Sequence, residues 1–374
     1  MFRTAKLLTD TLRAGAAAAS TGGTGEATGL VRQGRLLEAT ARIQERLGGG
    51  LPGGLSGGLP GGLSGGLSGG LPGGLTMPTA RTGTTGTTGT TGTSDRAPGS
   101  VTRGSAAGLA YRVYVPTTLQ PGAPLLVMLH GGTQDADGFA ACTGMDEAAE
   151  RAGVLVVYPE QSRTANPMGY WNWFRPGDQT RDAGEPAMIA AVTREVGAQH
   201  GADPARVAVA GFSAGAAMAA VLAAAYPDLY CAAGVHSGLP YRSAHDVGSA
   251  FAAMSSPPRS VTDGGPVPLV VVHGDADRTV AAGNGEAVVR SALAGAGRVE
   301  HARTSGQVEG GRGWTRERWS EPGGRVVAES WTVHGLGHAW SGGRAGAAYA
   351  DPSGPDAAGA MLAFFGFTAD PDVG

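Results

Sequence analysis

The chain has 374 residues, 41% of them hydrophobic, which allows one large domain or two ordinary ones with a sizeable core. A formal net charge of −3 and a pI near 6.2, with no run of lysine or arginine, exclude an electrostatic footprint for nucleic acid or an anionic membrane surface. Two cysteines, Cys142 and Cys231, are too few for a disulfide framework or a zinc cage; they read as small buried apolar residues, and the sequence leaves open whether they pair.

The N-terminus, MFRTAKLLTDTLRAGAAAAS, starts basic, but Asp10 and Arg13 interrupt what would have to be the apolar centre of a secretory signal, so no signal peptide is read. No run of about 18 apolar residues occurs, and no membrane span is expected. Residues 1–47 carry two short helical patterns, the second placing Leu36, Ala39, Ile43 and Leu47 on one face; they predict a small helical appendage. Residues 48–100 repeat G-G-L-[PS] and then T-G-T, lack core periodicity and carry glycine's full ordering cost, and so read as a flexible linker.

A folded domain is expected over 101–374. Apolar runs at 109–116, 124–132, 153–160, 206–213, 232–238, 268–275 and 326–333 alternate with helical patterns at 139–151, 186–200, 214–226, 283–295 and 355–366. That order predicts an α/β fold, a mainly parallel doubly wound sheet with helices on both faces, which binds ligands at the carboxyl ends of its strands.

Gly211-Phe212-Ser213-Ala214-Gly215 fits the G-x-S-x-G spacing of a serine nucleophile, but in so glycine-rich a chain about one match is expected by chance. Three further matches, centred on Ser56, Ser64 and Ser68, fall in the repeat, which supplies no rigid frame for a nucleophile. Only Ser213 stands between a strand pattern, RVAVAG, and a helix pattern, AGAAMAAVLAAAYP. The competing reading is a serine helix cap at the same junction.

A serine hydroxyl needs a base and an orienting carboxylate. Downstream strand ends offer Asp275 and Asp277 in HGDADRTV, and His334 and His338 in VHGLGHAWSGG, in the chain order Ser, Asp, His. Asp277 is far enough past the strand to turn over the sheet edge, whereas Asp275 is better placed to cap backbone groups. His338 sits in a glycine-rich loop that can swing an imidazole to the serine, whereas His334 still belongs to the strand. The two histidines are a weak zinc signal, because the segment is a loop and lacks the H-E-x-x-H glutamate. His200, His236, His245, His273 and His301 read as surface or strand-end residues. The oxyanion of an acyl transfer would be met by the Ala214 amide and by Gly132 in HGGTQD, with Thr133 second choice. Trp340, two residues past His338, and Trp171 are the candidate substrate contacts, with Trp173 assigned to the core.

The set LHGGTQDADGFA, VVYPEQ, ANPMGYWNWF, RDAGEPAMIAAV, DPARVAVAGFSAGAAMAA, YPDLYCAAGVHSGLPY, HGDADRTV and GHAWSGG resembles the polyhydroxybutyrate depolymerase family of esterases over residues 105–368. The resemblance implies an α/β-hydrolase fold, Ser213 as nucleophile, Asp277 as orienting acid, His338 as base, and the Gly132 and Ala214 amides as oxyanion hole. It also implies an extracellular enzyme, although no export signal is visible here. Many members of the family have cysteines where this chain has Gly132 and Tyr170, which implies a disulfide missing beside the site. No metal or organic cofactor is expected. The expected substrate is a short-chain ester, a 3-hydroxybutyrate oligomer or a polyhydroxyalkanoate-type polyester. The alternatives are feruloyl or acetyl esters of polysaccharides, a non-catalytic binding protein on the same scaffold, or an adhesive role for the repeat.

Overall fold

The computed structural model describes residues 97–368; the appendage expected over 1–47 and nearly all of the linker expected over 48–100 lie outside them. Two antiparallel strands open the described chain, β1 (Ser100–Ala106) and β2 (Leu109–Val115). They are followed by β3 (Leu125–Leu129), α1 (Ala136–Thr143), α2 (Met145–Ala152), β4 (Leu155–Glu160), α3 (Gly184–His200), β5 (Val207–Phe212) and α4 (Ala214–Ala225). The second half holds β6 (Ala232–His236), α5 (Val247–Ser255), β7 (Leu269–Gly274), α6 (Gly283–Leu293), β8 (Glu300–Gln307), β9 (Gly313–Ser320), β10 (Val326–Val333), the two-residue β11 (Trp340–Ser341) and β12 (Ala350–Asp351), and α7 (Ala357–Phe364).

Ten strands form one sheet in the order β1-β2-β4-β3-β5-β6-β7-β10-β9-β8. The six from β4 to β10 run parallel, and antiparallel strands flank them at each edge. The central strands are apolar on both faces because both are covered. Along β3, Leu125, Val127 and Leu129 belong to the core on one face of the sheet, which takes in residues of α3, α4, α5 and α6, while Leu126 and Met128 belong to the core on the other, with residues of α1, α2 and α7. All five side chains are fully buried, each contributing about 1.5–3 kcal/mol. The mainly parallel sheet with helices on both faces is therefore as the sequence predicts.

Several elements differ from expectation. The single helix expected at 139–151 is two, because Gly144 (φ 64°) ends α1 in the left-handed conformation and returns the chain into α2. Strands β1, β8 and β9 carry too few apolar residues to show period-two alternation. All of β8 is exposed. Helix α5 is not among the expected helices; it starts on a capping box between Asp246 and Ser249. Both cysteines are free; Cys142 is buried, but Cys231, expected to be, is exposed just before β6. Among the described residues no helix is long and apolar enough to cross a membrane.

One glycine fixes how close the site's elements come. A Cβ on Gly215, in the first turn of α4, would stand 2.1 Å from the Leu129 carbonyl oxygen and 2.5 Å from that of His130. Those atoms are backbone and cannot step aside. Gly215→Ala is expected to cost about 1–3 kcal/mol, read as a lower urea midpoint at unchanged m-value.

Candidate active site

The carboxyl ends of β3, β5, β7 and β10 bring together residues 130–133, Ser213, Asp277 and His338. Ser213 follows β5 with φ 55° and ψ −117°, an unusual conformation for a residue with a side chain, and its N–H donates to the His236 carbonyl (2.9 Å). Although it occupies the cap position of α4, its hydroxyl makes no capping bond. Instead its Oγ lies 3.0 Å from His338 Nε2. His338 Nδ1 lies 2.8 Å from Asp277 Oδ2, so the N–H on that nitrogen donates to the carboxylate and the Nε2 lone pair faces the serine.

Asp277 is buried and held at each oxygen. Its Oδ1 accepts the Thr279 and Val280 amides, both at 2.9 Å, and its Oδ2 also lies 3.5 Å from His273 Nε2. Burial alone would raise the carboxyl's pKa, but the imidazoles of His273 and His338 outweigh it and hold the group well below the ordinary aspartate value. It is a fixed negative charge under the imidazole.

The second aspartate–histidine pair does different work. Asp275 Oδ1 accepts the Gly335 amide (2.7 Å), Oδ2 lies 2.9 Å from His334 Nδ1, and His334 Nε2 is 3.0 Å from Thr315 Oγ1. The pair ties the ends of β7 and β10 to β9 and anchors the turn that delivers His338. The two histidines thus engage separate partners, and among the described residues no group of three His, Cys, Asp or Glu is arranged to hold a metal ion.

Opposite Ser213 runs the loop after β3. The Thr133 amide donates to the Met168 carbonyl (3.0 Å), so it is committed elsewhere. A Cβ on Gly132 would fall 1.9 Å from Tyr170 Cε1: the tyrosine ring occupies the space a side chain at 132 would need. Positions 132 and 170 therefore face each other, as a disulfide there would require. Beneath the loop, His130 Nε2 accepts the Gln161 amide (3.0 Å) and Nδ1 donates to the Gly131 carbonyl (2.8 Å). Burial pushes this imidazole down to about 4.

Such a histidine is neutral when folded and charged when unfolded between about pH 4 and its ordinary value of about 6.5. In that window the unfolded chain binds more protons, so stability falls with falling pH, by up to about 3 kcal/mol for His130 alone. Urea midpoints at pH 7 and pH 4.5 are expected to show this drop, and His130→Asn to reduce it.

The candidate substrate contacts need correction. Trp171 and Trp340 are both 0% exposed and present no surface to a ligand. Trp171 packs in the core and donates its indole N–H to the His130 carbonyl (3.1 Å), bracing the loop from behind. Trp340 stacks on His236 (centroids 4.7 Å apart) and meets Phe139 edge-on. Trp173 is buried in the core, as assigned. Histidines 236 and 273, read as ordinary, are buried beside the site: His236 Nε2 accepts the Ser341 amide (3.0 Å), and burial first, then His273 and His338, hold it uncharged. Their position at the ends of β6 and β7, beside Ser213 and Asp277, is the signal that could have found them.

A family model described as Esterase PHB depolymerase matches residues 109–312, a stretch that includes Ser213 and Asp277 and ends before His338. Poly(3-hydroxyalkanoate) depolymerase C of Paucimonas lemoignei is 35% identical over 239 residues, 60% of this chain and 57% of that protein. The chain thus spans little more than half the length of this relative. A putative esterase, NocK, of Nocardia uniformis subsp. tsuyamanensis is 30% identical over 266 residues, 63% of this chain and 71% of its own. Among solved structures, an acetyl xylan esterase from Aspergillus awamori superposes with a TM-score of 0.57 at 19% identity, covering 72% of this chain and all of that one. The fold is that of the α/β-hydrolases.

Proposed function

Because the chain belongs to the PHB depolymerase family of esterases, we propose that it is a serine esterase working through an acyl-enzyme on Ser213. The observation that carries this reading is the continuous relay from Ser213 Oγ to His338 Nε2 (3.0 Å) and from His338 Nδ1 to Asp277 (2.8 Å). His338 takes the proton as Ser213 Oγ attacks the ester carbonyl, and Asp277 stabilises the imidazolium that results. The Ala214 amide, at the positive end of α4, and the Gly132 amide meet the oxyanion, each worth about 3–4 kcal/mol of barrier. Collapse of the tetrahedral intermediate expels the alcohol with the proton from His338. Water, deprotonated by the same base, then releases the acid and restores the serine. The nucleophile, the base, the orienting carboxylate and the oxyanion donors of this cycle are side chains and amides of the chain itself.

The preferred substrates are short-chain carboxylic esters, including 3-hydroxybutyrate oligomers and polyhydroxyalkanoate-type polyesters, the class named by the Paucimonas relative. A panel of p-nitrophenyl acetate and butyrate, methyl ferulate, acetylated xylan and 3-hydroxybutyrate oligomers tests this. Release of acid from the butyrate and the oligomers supports the reading. Turnover confined to the ferulate or the xylan would move the substrate to polysaccharide esters, and no turnover of any ester would leave a binding protein on a hydrolase scaffold.

A further inference from the structure

Three successive residues of the oxyanion loop are each backed by an aromatic ring. Gly131 lies against Phe212, where a Cβ would stand 2.9 Å from the ring, Gly132 lies against Tyr170, and Thr133 Oγ1 lies 3.3 Å from the hydroxyl of Tyr349. Phe212 continues the aromatic surface to the base, its ring centroid 4.9 Å from that of His338 and 6.3 Å from that of Tyr349.

Tyr349 differs from the other two rings in its exposure. Among the described residues only three large hydrophobic side chains are exposed, Val101 on the edge strand β1, Val247 at the start of α5, and Tyr349 at 39%. Tyr349 is the one that reaches the site. Its backbone has φ 60°, a conformation that costs free energy for any residue with a Cβ and is kept only where the surroundings impose it. Here the imposition is visible. The Tyr349 carbonyl accepts the Trp340 amide (2.6 Å), the next two residues pair as β12 with β11, and Asp351 is held by the Arg312 guanidinium at 2.6 and 2.9 Å. A strained and anchored backbone turns a tyrosine ring outward over the oxyanion loop.

We propose that Tyr349 is a specificity-determining residue: its ring is the outer wall against which the substrate's acyl chain packs, and its hydroxyl steadies Thr133 beside the Gly132 amide. The inference rests on the esterase reading above and deepens it. An uncharged wall of Tyr349 and the half-buried Tyr170, backed from within by Phe212, selects apolar acyl chains of several carbons over acetate, each buried methylene being worth up to about fourfold in kcat/KM.

The test uses p-nitrophenyl acetate, butyrate and hexanoate with the full chain and with Tyr349→Gly, Tyr349→Phe and Ser213→Ala. Glycine accepts φ 60° without strain, so Tyr349→Gly removes the ring while relieving the backbone, and its thermal midpoint is expected to equal or exceed the wild type's. Its kcat/KM is expected to fall about tenfold on the hexanoate, mainly through KM, and by less than threefold on the acetate. Tyr349→Phe keeps the wall and is expected to preserve the chain-length profile while lowering kcat by no more than about twofold on all three esters. A uniform loss across the esters in Tyr349→Gly, or no loss, overturns the proposal while leaving the esterase reading intact. A wild type inactive on every ester, or a Ser213→Ala variant as active as the wild type, overturns both.

Discussion

Replacing Ser213 with alanine is expected to lower kcat/KM for p-nitrophenyl butyrate by about 10³-fold or more, and adding His338→Ala is expected to lower it little further. The reason is geometric. The serine hydroxyl is a weak nucleophile until His338 Nε2, 3.0 Å away, can receive its proton, and the imidazole has no proton to take once the hydroxyl is gone. Groups acting as one unit are lost as one unit, so the double variant should sit close to the worse single variant. The elbow itself should survive. Ser213 is held by its backbone bond to the His236 carbonyl and makes no cap bond, so its Oγ contributes nothing to the start of α4. A thermal midpoint close to that of the wild type, with the activity gone, separates chemistry from folding.

Asp277→Asn is expected to cost about 10³- to 10⁴-fold in kcat with the protein folded. Asparagine removes the charge that favours the imidazolium. Its Oδ1 position would have to remain the acceptor for Thr279 and Val280, which turns the amide NH₂ toward His338 Nδ1. That donor demands an Nδ1 lone pair, forces the proton to Nε2, and points it at the serine that needs a base. The same aspartate carries an acid signature. With its folded pKa held below the unfolded value of about 4, its stabilisation is complete above that pH and is lost as the pH falls through the lower folded value. Wild type is therefore expected to lose more stability between about pH 4 and pH 2 than Asp277→Asn does, measured as the change in urea midpoint. The window lies below the one in which His130 acts, so the two effects separate along a single pH series.

The parts of the fold legible in the sequence are those where burial writes a strong pattern. Runs such as LLVML and LVVVHG have both faces covered, and all of their residues are buried. Strand β9, GWTRERWS, turns Arg316 and Arg318 toward Glu329 of β10, and ion pairs of this kind carry no hydropathy period to read. At the candidate site, the proximity of Ser213, Asp277 and His338 was legible because each follows a recognisable strand, and the topology sets strand ends side by side. Asp275 and Asp277 each accept backbone amides and each face an imidazole; what separates them by position is which histidine they reach, His334 for the nearer and His338 for the farther. Side-chain direction was not legible. Trp340 follows His338 by two residues yet turns into the core against His236, whereas Tyr349, 216 residues from its hydrogen-bond partner Thr133, faces the loop. Nothing local in AGAAYADPSG signals that contact; it arises from the pairing of β11 with β12.

Reacting the full chain with a fluorophosphonate probe and mapping the adduct by peptide mass spectrometry shows which serine, if any, forms a covalent intermediate. The proposed chemistry predicts one adduct, on the peptide containing Gly211-Phe212-Ser213-Ala214-Gly215, abolished by Ser213→Ala and strongly slowed by His338→Ala. An adduct on Ser56, Ser64 or Ser68, which share the same pentapeptide spacing, or no adduct while ester hydrolysis proceeds, would contradict it.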